Sequence, residues 1–195
     1  WGDHWVPFGG TSPLGILGHI EGAVELADQV DMGVLPAPSQ VFVALGTGGT
    51  AAGLAAGFAI AGLQTTVVAV RCGPSFGHEG WWLQRLVNGV VGASGLPESI
   101  AAQARAHLVV DHGSYSGAYG RPHSAATALS ATIADARGVL LDDTYSAKAC
   151  YAAVRASFMP LARVERVSDR TIYCRMRAVS LCRGLATDAA GNLVE

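Results

Sequence analysis

The sequence predicts an α/β fold: an open, twisted and mostly parallel sheet with helices on both faces, in three layers. Short apolar runs rich in β-branched residues alternate along the chain with segments of helical periodicity, and such alternation is typical of parallel sheets covered on both sides. A glycine cluster at residues 46–50 separates the first apolar run from a helical pattern. This order of strand, glycine turn and helix is the context of a strand–helix–strand unit.

Hydrophobic periodicity and turn residues place the individual elements. Strands are predicted at residues 41–45, 65–71, 108–111 and 138–141. Helices are predicted at residues 14–30, from the glycine cluster to residue 61, up to residue 106 with a break near residues 95–97, and at residues 124–136 and 146–156. After residue 160 the periodicity weakens, and only residues 171–174 favour a strand. We therefore expect one α/β domain over residues 1–160 and a diverged or poorly ordered tail over residues 161–195.

Composition narrows the classes of function. Only 14% of the 195 residues are charged, the formal net charge is −2, and no basic block is present, which argues against nucleic acid as a partner. No apolar run reaches the roughly 18 residues of a membrane span, so we expect no membrane partner. The four cysteines form no C-x-x-C pair. Thiols in a reducing cytoplasm are therefore favoured over disulfides or a metal site.

The glycine cluster has the composition of a phosphate-binding loop. Glycines let backbone N–H groups approach a ligand, threonine hydroxyls add donors, and the positive end of the following helix favours an anion. The candidate ligands are Gly46, Thr47, Gly48, Gly49 and Thr50. Two other interpretations stay open, a tight turn without a ligand and a non-catalytic Rossmann-like module that binds a nucleotide. The second strand ends in Val70-Arg71 rather than in the acidic residue that would hold a ribose, which disfavours a dinucleotide.

Three further segments match a known family in order and approximate spacing. They are Pro-Phe-Gly-Gly-Thr-Ser at residues 7–12, Tyr-Gly-Arg-Pro at residues 119–122, and Leu-Asp-Asp-Thr-Tyr-Ser-Ala-Lys at residues 141–148. With the glycine cluster, they resemble the pyridoxal-phosphate enzymes of the tryptophan-synthase β-like fold (fold type II), in the branch of D-cysteine desulfhydrase and 1-aminocyclopropane-1-carboxylate deaminase. The resemblance covers residues 7–156 and implies that the chain is the larger part of such an enzyme, with residues 1–160 as its cofactor-binding domain.

The resemblance implies a cofactor, a substrate class and roles for particular residues. The cofactor is pyridoxal 5′-phosphate, held at residues 46–50, and the reaction converts a small amino acid to a 2-oxo acid and ammonia in a homodimer of the full-length protein. Tyr145 matches a tyrosine beside the cofactor ring, and Tyr119 matches one that faces the substrate, so both are candidate catalytic residues. Ser146 matches the residue beside the pyridine nitrogen. Helix capping by Ser146 and plain packing of the tyrosines remain open alternatives.

The chain also departs from the family pattern. The family's Schiff-base lysine lies in an N-terminal G-x-N-K segment that this sequence lacks, and its single lysine, Lys148, matches a different family position. His19 replaces the usual tyrosine of the first motif. We therefore expect a fragment that is inactive by itself, with a degenerate gene product as the alternative.

Overall fold

A parallel sheet organises the part of the chain that the computed structural model describes, residues 6–74, 80–158, 186–187 and 193–194. Its strands are β1 (Gln40–Leu45), β2 (Thr66–Arg71) and β3 (Leu108–Asp111), in the spatial order β1-β2-β3. Val41 pairs with Val67, and Val67 pairs with Leu108. Because the strands are parallel, their carboxyl ends meet at one edge of the sheet. The strands predicted at residues 41–45, 65–71 and 108–111 are confirmed.

Helices connect and cover these strands. A short 3-10 turn (Phe8–Gly10) comes first, followed by α1 (Leu17–Asp31), α2 (Gly49–Ile60), α3 (Gly80–Ala93), α4 (Glu98–Ala106), α5 (Ser124–Arg137) and α6 (Ser146–Phe158). These bounds agree with the predicted helices to within a few residues, and the break between α3 and α4 falls where Gly95 and Pro97 predict it. Among the described residues, none of the helices has the length and apolar character required to cross a membrane.

The two faces of the sheet are covered by different helices. Side chains at alternate strand positions point to opposite faces. On one face, Leu45 and Val67 belong to a core that also includes residues of α2, α3 and α4. On the other face, Val68 and Val70 pack against Ala152 of α6, and α5 packs against α6. The predicted three-layer α/β fold is confirmed.

Close packing between α1 and α2 depends on glycines of α2. An added Cβ at Gly53 would lie 2.6 Å from the Cβ of His19, and one at Gly57 would lie 2.6 Å from both the Cβ of Ala23 and the backbone O of Ile20. Real side chains do not approach so closely. The absence of side chains at Gly53 and Gly57 therefore sets the short distance between the two helices, and this distance determines where α1 meets the start of α2.

We expect the same glycine-to-alanine change to have opposite effects on α1 and α2. Alanine at Gly57 gains helix propensity but pushes against backbone of α1, and overpacking of this kind costs about 1–3 kcal/mol. Alanine at Gly22 is the matched control, because outside the backbone of α1 no atom of the described residues lies within 4 Å of its added Cβ. Urea denaturation should show a lower free energy of unfolding for Gly57→Ala and one raised by up to about 1 kcal/mol for Gly22→Ala. Stabilisation by both changes would contradict the close packing.

The predicted strand at residues 138–141 is wrong. Helix α5 continues to Arg137 and ends at Gly138, which has a φ of 66° and donates its N–H to the backbone O of Ala134 at 2.8 Å. The following Leu140 is 88% exposed, and the Leu141 carbonyl accepts a hydrogen bond from the Ser130 hydroxyl at 3.0 Å. This carbonyl is therefore bonded to a side chain of α5, and the apolar run forms a connection to α6 that is neither helix nor strand.

Most of the predicted tail lies outside the described residues, including the strand expected at residues 171–174. Within it, the structure describes two short strands, β4 (Ala186–Thr187) and β5 (Leu193–Val194), which pair antiparallel. The domain boundary near residue 160 stays a prediction.

Candidate functional site

The glycine cluster forms a sharp turn between β1 and α2. Gly48 has a φ of 94°, which side-chain-bearing residues rarely adopt. A Cβ added there would lie 2.7 Å from the Cδ2 of Leu83 on α3. The indole Nε1 of Trp82 donates a hydrogen bond to the backbone O of Thr47 at 2.9 Å. Contacts with helix α3 therefore fix the position of the glycine loop on one side.

The segment before α1 packs against the other side of this loop. The hydroxyl oxygens of Thr11 and Thr47 lie 2.5 Å apart, and a Cβ added at Gly9 would lie 2.5 Å from the Oγ1 of Thr47. Gly49 meets the same segment, since its added Cβ would lie 2.8 Å from the Cγ2 of Ile16. Two sequence motifs that are 36 residues apart, counted between the two threonines, thus form facing walls.

Between these walls lies a cavity of about 160 Å³. Its lining residues are Gly9, Gly10, Thr11, Gly15, Ile16, His19, Ala44, Gly46, Thr47, Gly48, Gly49, Thr50 and Tyr145. Among the described residues, the lining contains no aspartate, glutamate, lysine or arginine, and nine of its thirteen residues are glycine or threonine. The first-turn N–H groups of a helix have no carbonyl of their own helix to bond. With the positive end of α2 in the same lining, the cavity is suited to a small anion.

Two tyrosines meet at the edge of the cavity. The phenol oxygens of Tyr119 and Tyr145 lie 2.6 Å apart, and the ring centroids are 6.1 Å apart at 63°. The hydrogen bond with Tyr119, together with burial, raises the pKa of Tyr145 to about 12. The Tyr145 phenol therefore keeps its proton at neutral pH. Tyr119 is 62% exposed and does not line the cavity itself.

Ser146 is engaged in the start of α6. Its hydroxyl donates to a carboxylate oxygen of Asp142 at 2.6 Å and accepts from the Asp142 backbone N–H at 2.8 Å. The same carboxylate accepts from the backbone N–H groups of Thr144, Tyr145 and Ser146. Burial opposes ionisation of Asp142, but these hydrogen bonds, first that of the Ser146 hydroxyl, hold its pKa below the usual range. The serine thus serves the helix start and is absent from the cavity lining.

Lys148 lies deep in the protein rather than at the cavity. Its side chain is fully buried, and its Nζ has no hydrogen-bond partner among the described residues. Burial raises the pKa of the Cys72 thiol, while the charge of Lys148 acts in the opposite direction. Burial lowers the pKa of His123, and the charge of Lys148 lowers it further. The lysine is therefore close to the carboxyl end of β2 and to the start of α5.

Known proteins similar in sequence to this chain indicate its family. No family model matches it. The D-cysteine desulfhydrase of Klebsiella pneumoniae subsp. pneumoniae is 32% identical over 144 residues, or 74% of this chain. That of Salmonella paratyphi B is 33% identical over the same length and share. The chain belongs to the fold type II family of pyridoxal-phosphate enzymes. The matched segment spans 42% of the length of these relatives.

A solved structure of similar fold supports the assignment to fold type II. The crystal structure of an ACC deaminase homologue aligns with a TM-score of 0.59, at 23% identity, over 76% of this chain and 42% of that one. The cavity lies at the carboxyl end of β1, where α2 begins, and ligand sites in other α/β sheets lie at the same kind of position. The sequence-based resemblance to this family is confirmed.

The structure brings together most of the residues that the sequence singles out. Those lining the cavity are Gly46, Thr47, Gly48, Gly49, Thr50 and Tyr145. Tyr119 joins them through its hydrogen bond to Tyr145, whereas Ser146 bonds to Asp142. The contributions of His19 and Trp82 to this site were not predicted from the sequence. The Gly-x-x-x-Gly-x-x-x-Gly spacing of Gly49, Gly53 and Gly57 was an available signal that α1 would pack closely enough to bring His19 to the cavity.

Proposed function

We propose that the cavity binds the phosphate of pyridoxal 5′-phosphate and that the complete protein is a lyase of the D-cysteine desulfhydrase type. Such an enzyme converts a small amino acid to a 2-oxo acid and ammonia. One observation carries the proposal: Thr11, Thr47 and Tyr145 come from three separate family motifs and line one cavity. The names of the relatives at 32% and 33% identity support the desulfhydrase type.

The cavity fits the phosphate part of the cofactor. Its volume of about 160 Å³ is below the roughly 300–1,000 Å³ of sites that enclose a whole small molecule. Its walls are glycines at points where a Cβ would collide with Thr47 or Ile16. Hydroxyls and helix N–H groups supply donors but no negative charge. These properties suit a compact dianion, and the cofactor ring would lie beyond the cavity.

The chain's own side chains would then have distinct tasks. Thr47 and Thr50 would donate hydrogen bonds to the phosphate, and the start of α2 would stabilise its charge. Tyr145, whose pKa is about 12, would hold a proton at the cavity edge and share it with Tyr119. When bound, the cofactor withdraws electrons from the α-carbon of the amino acid. Ser146, bonded to Asp142 at 2.6 Å, would position the start of α6.

Other parts of the proposal concern the complete protein. Lys148 is fully buried and does not line the cavity, so we place the Schiff-base lysine of the enzyme outside this sequence. Activity would then require the part of the enzyme that carries this lysine. We also propose that the complete protein forms a homodimer and acts in the cytoplasm.

Ligand preference tests the proposal against the second candidate, a non-catalytic nucleotide-binding module. The module needs only residues 46–50, so it would prefer ATP and ignore Tyr145. We expect the chain to bind pyridoxal 5′-phosphate more tightly than either ATP or pyridoxal, measured by equilibrium dialysis. Tyr145→Phe should weaken binding several-fold through loss of one hydrogen bond. Tyr151→Phe, outside the cavity lining, should not. Tighter binding of ATP than of pyridoxal 5′-phosphate, together with an unchanged affinity of Tyr145→Phe, would contradict the cofactor proposal.

A further inference from the structure

Trp82 of α3 contacts the glycine loop from outside the cavity. Its indole Nε1 donates a hydrogen bond to the backbone O of Thr47 at 2.9 Å, and Trp82 is not among the residues that line the cavity. Thr47 and Gly48, which share the peptide bond that carries this oxygen, both line it. The indole therefore holds one end of a peptide unit whose two residues face the cavity.

This hydrogen bond also sets the direction of the next N–H group. The peptide bond between Thr47 and Gly48 is trans, and in a planar trans peptide the C=O and N–H bonds point in opposite directions. Because the Thr47 oxygen points at α3, the Gly48 N–H points away from α3. A Cβ added at Gly48 would also lie on the α3 side, 2.7 Å from the Cδ2 of Leu83. The N–H is thus directed to the opposite side of the loop, where the cavity lies.

The Gly48 N–H has no acceptor in the part of the chain that the structure describes. Gly48 is buried, and its carbonyl accepts from the Ala52 N–H at 3.0 Å, but no hydrogen bond to another described residue is donated by its own N–H. Buried backbone N–H groups nearly always have a partner. An oxygen of an anionic ligand in the cavity would be such a partner.

We infer that Trp82 is a positioning residue, which holds the Thr47 carbonyl and so directs the Gly48 N–H toward a phosphate oxygen of the ligand. The ligand class is a phosphate monoester, and the inference rests on the proposed phosphate site. The φ of 94° at Gly48 allows this orientation of the peptide. Trp82 keeps the donor in place before the ligand binds, which avoids the cost of turning the peptide on binding.

NMR spectroscopy follows the Gly48 N–H directly, without any substitution. Thr47-Gly48 is the only Thr-Gly pair in the sequence, so ¹³C in the threonine carbonyls and ¹⁵N in the glycines isolate this single amide. The probe is pyridoxamine 5′-phosphate, which has no aldehyde to react with amines, and pyridoxamine is the control without a phosphate. We expect the phosphate ester at saturation to move the amide proton downfield, because a hydrogen bond to a charged oxygen is short and strong. Pyridoxamine should leave the proton unmoved.

Two variants separate the indole N–H from the bulk of the ring. Trp82→Phe keeps an aromatic ring and removes the donor, whereas Trp82→His keeps a donor, because its Nε2 can take the place of the indole Nε1. In calorimetry at about pH 8, where histidine is ordinarily neutral, we expect Trp82→Phe to bind the probe roughly tenfold more weakly than the unsubstituted chain. Trp82→His should bind within about threefold of it. Trp81→Phe, which is 62% exposed and outside the lining, is the control and should match the unsubstituted chain.

The order of the two variants and the Gly48 resonance decide the inference. A downfield shift that Trp82→His retains and Trp82→Phe loses supports it. If Trp82 only packs against the loop, Trp82→Phe should bind the probe more tightly than Trp82→His, and that order overturns it. An unmoved Gly48 proton in the unsubstituted chain with the phosphate ester bound also overturns it, whether or not the variants fold, and leaves the phosphate site intact. Failure of the unsubstituted chain to bind any phosphate ester overturns the proposed function as well.

Discussion

Replacing Thr47 and Thr50 together with valine should weaken the binding of pyridoxal 5′-phosphate by at least about a hundredfold. Valine has the shape of threonine but places a methyl group where each hydroxyl stood. A hydrogen bond to a charged group contributes about 1.5–3 kcal/mol, and each 1.4 kcal/mol is a factor of ten in affinity. The two hydroxyls line the same cavity, so their loss should add. Titration of the cofactor followed by absorbance measures the affinity.

Single variants and a matched control make this result specific. Thr47 already shares a hydrogen bond with Thr11 at 2.5 Å, so Thr47→Val also leaves the Thr11 hydroxyl without this partner. Thr50→Val leaves the pair of Thr11 and Thr47 intact, although it removes the contact with His19 Nε2 at 3.2 Å, and should weaken binding about tenfold on its own. Thr132→Val on α5 should leave binding unchanged, because this half-buried residue lies outside the cavity lining and its hydroxyl donates to the Ala128 carbonyl at 3.0 Å. Undiminished binding by the folded double variant would rule out these residues as phosphate ligands.

The sheet could be predicted where local pattern and long-range pairing agree. β1, β2 and β3 are apolar runs bounded by turn residues, and each has a neighbouring strand in register. Residues 138–141 have a similar pattern, but Gly138 ends α5 in a left-handed conformation and Leu140 faces solvent. An apolar run becomes a strand only when its backbone finds a partner, and the sequence does not show whether one is in reach.

The same distinction explains what could be predicted of the site. The glycine cluster predicts the sharp turn because the geometry of that turn is local, whereas the cavity also needs the facing wall of residues 9–16. The order of family motifs indicates that Tyr145 belongs nearby. The bond between Tyr119 and Tyr145 and the contact of His19 with Thr50 depend on how separate elements pack. The role of Ser146 beside the pyridine nitrogen stays a prediction, and the structure adds a local partner for its hydroxyl in Asp142 that the motif does not reveal.

Lys148→Met should raise the free energy of unfolding of this chain by about 2 kcal/mol. A buried amino group without a hydrogen-bond partner costs about 1–3 kcal/mol, and more if it is charged. Lys148 is fully buried, and its Nζ has no such partner in the part of the chain that the structure describes. Methionine keeps an unbranched apolar side chain and removes the unsatisfied donors. Urea denaturation measures this increase in the free energy of unfolding as a higher midpoint, with an unchanged slope of the free energy against urea concentration.

Arg155→Met provides the opposite expectation on the same helix. The Arg155 guanidinium donates to the Asp111 carboxylate at 2.5 Å, and the two side chains are 34% and 19% exposed. Removing the arginine leaves Asp111 partly buried without its charged partner, so the free energy of unfolding should fall by about 1–2 kcal/mol.

If Lys148→Met also destabilises the chain, Lys148 has a partner that the described residues do not include. The buried amino group of Lys148 would then be a stabilising contact rather than an unsatisfied group.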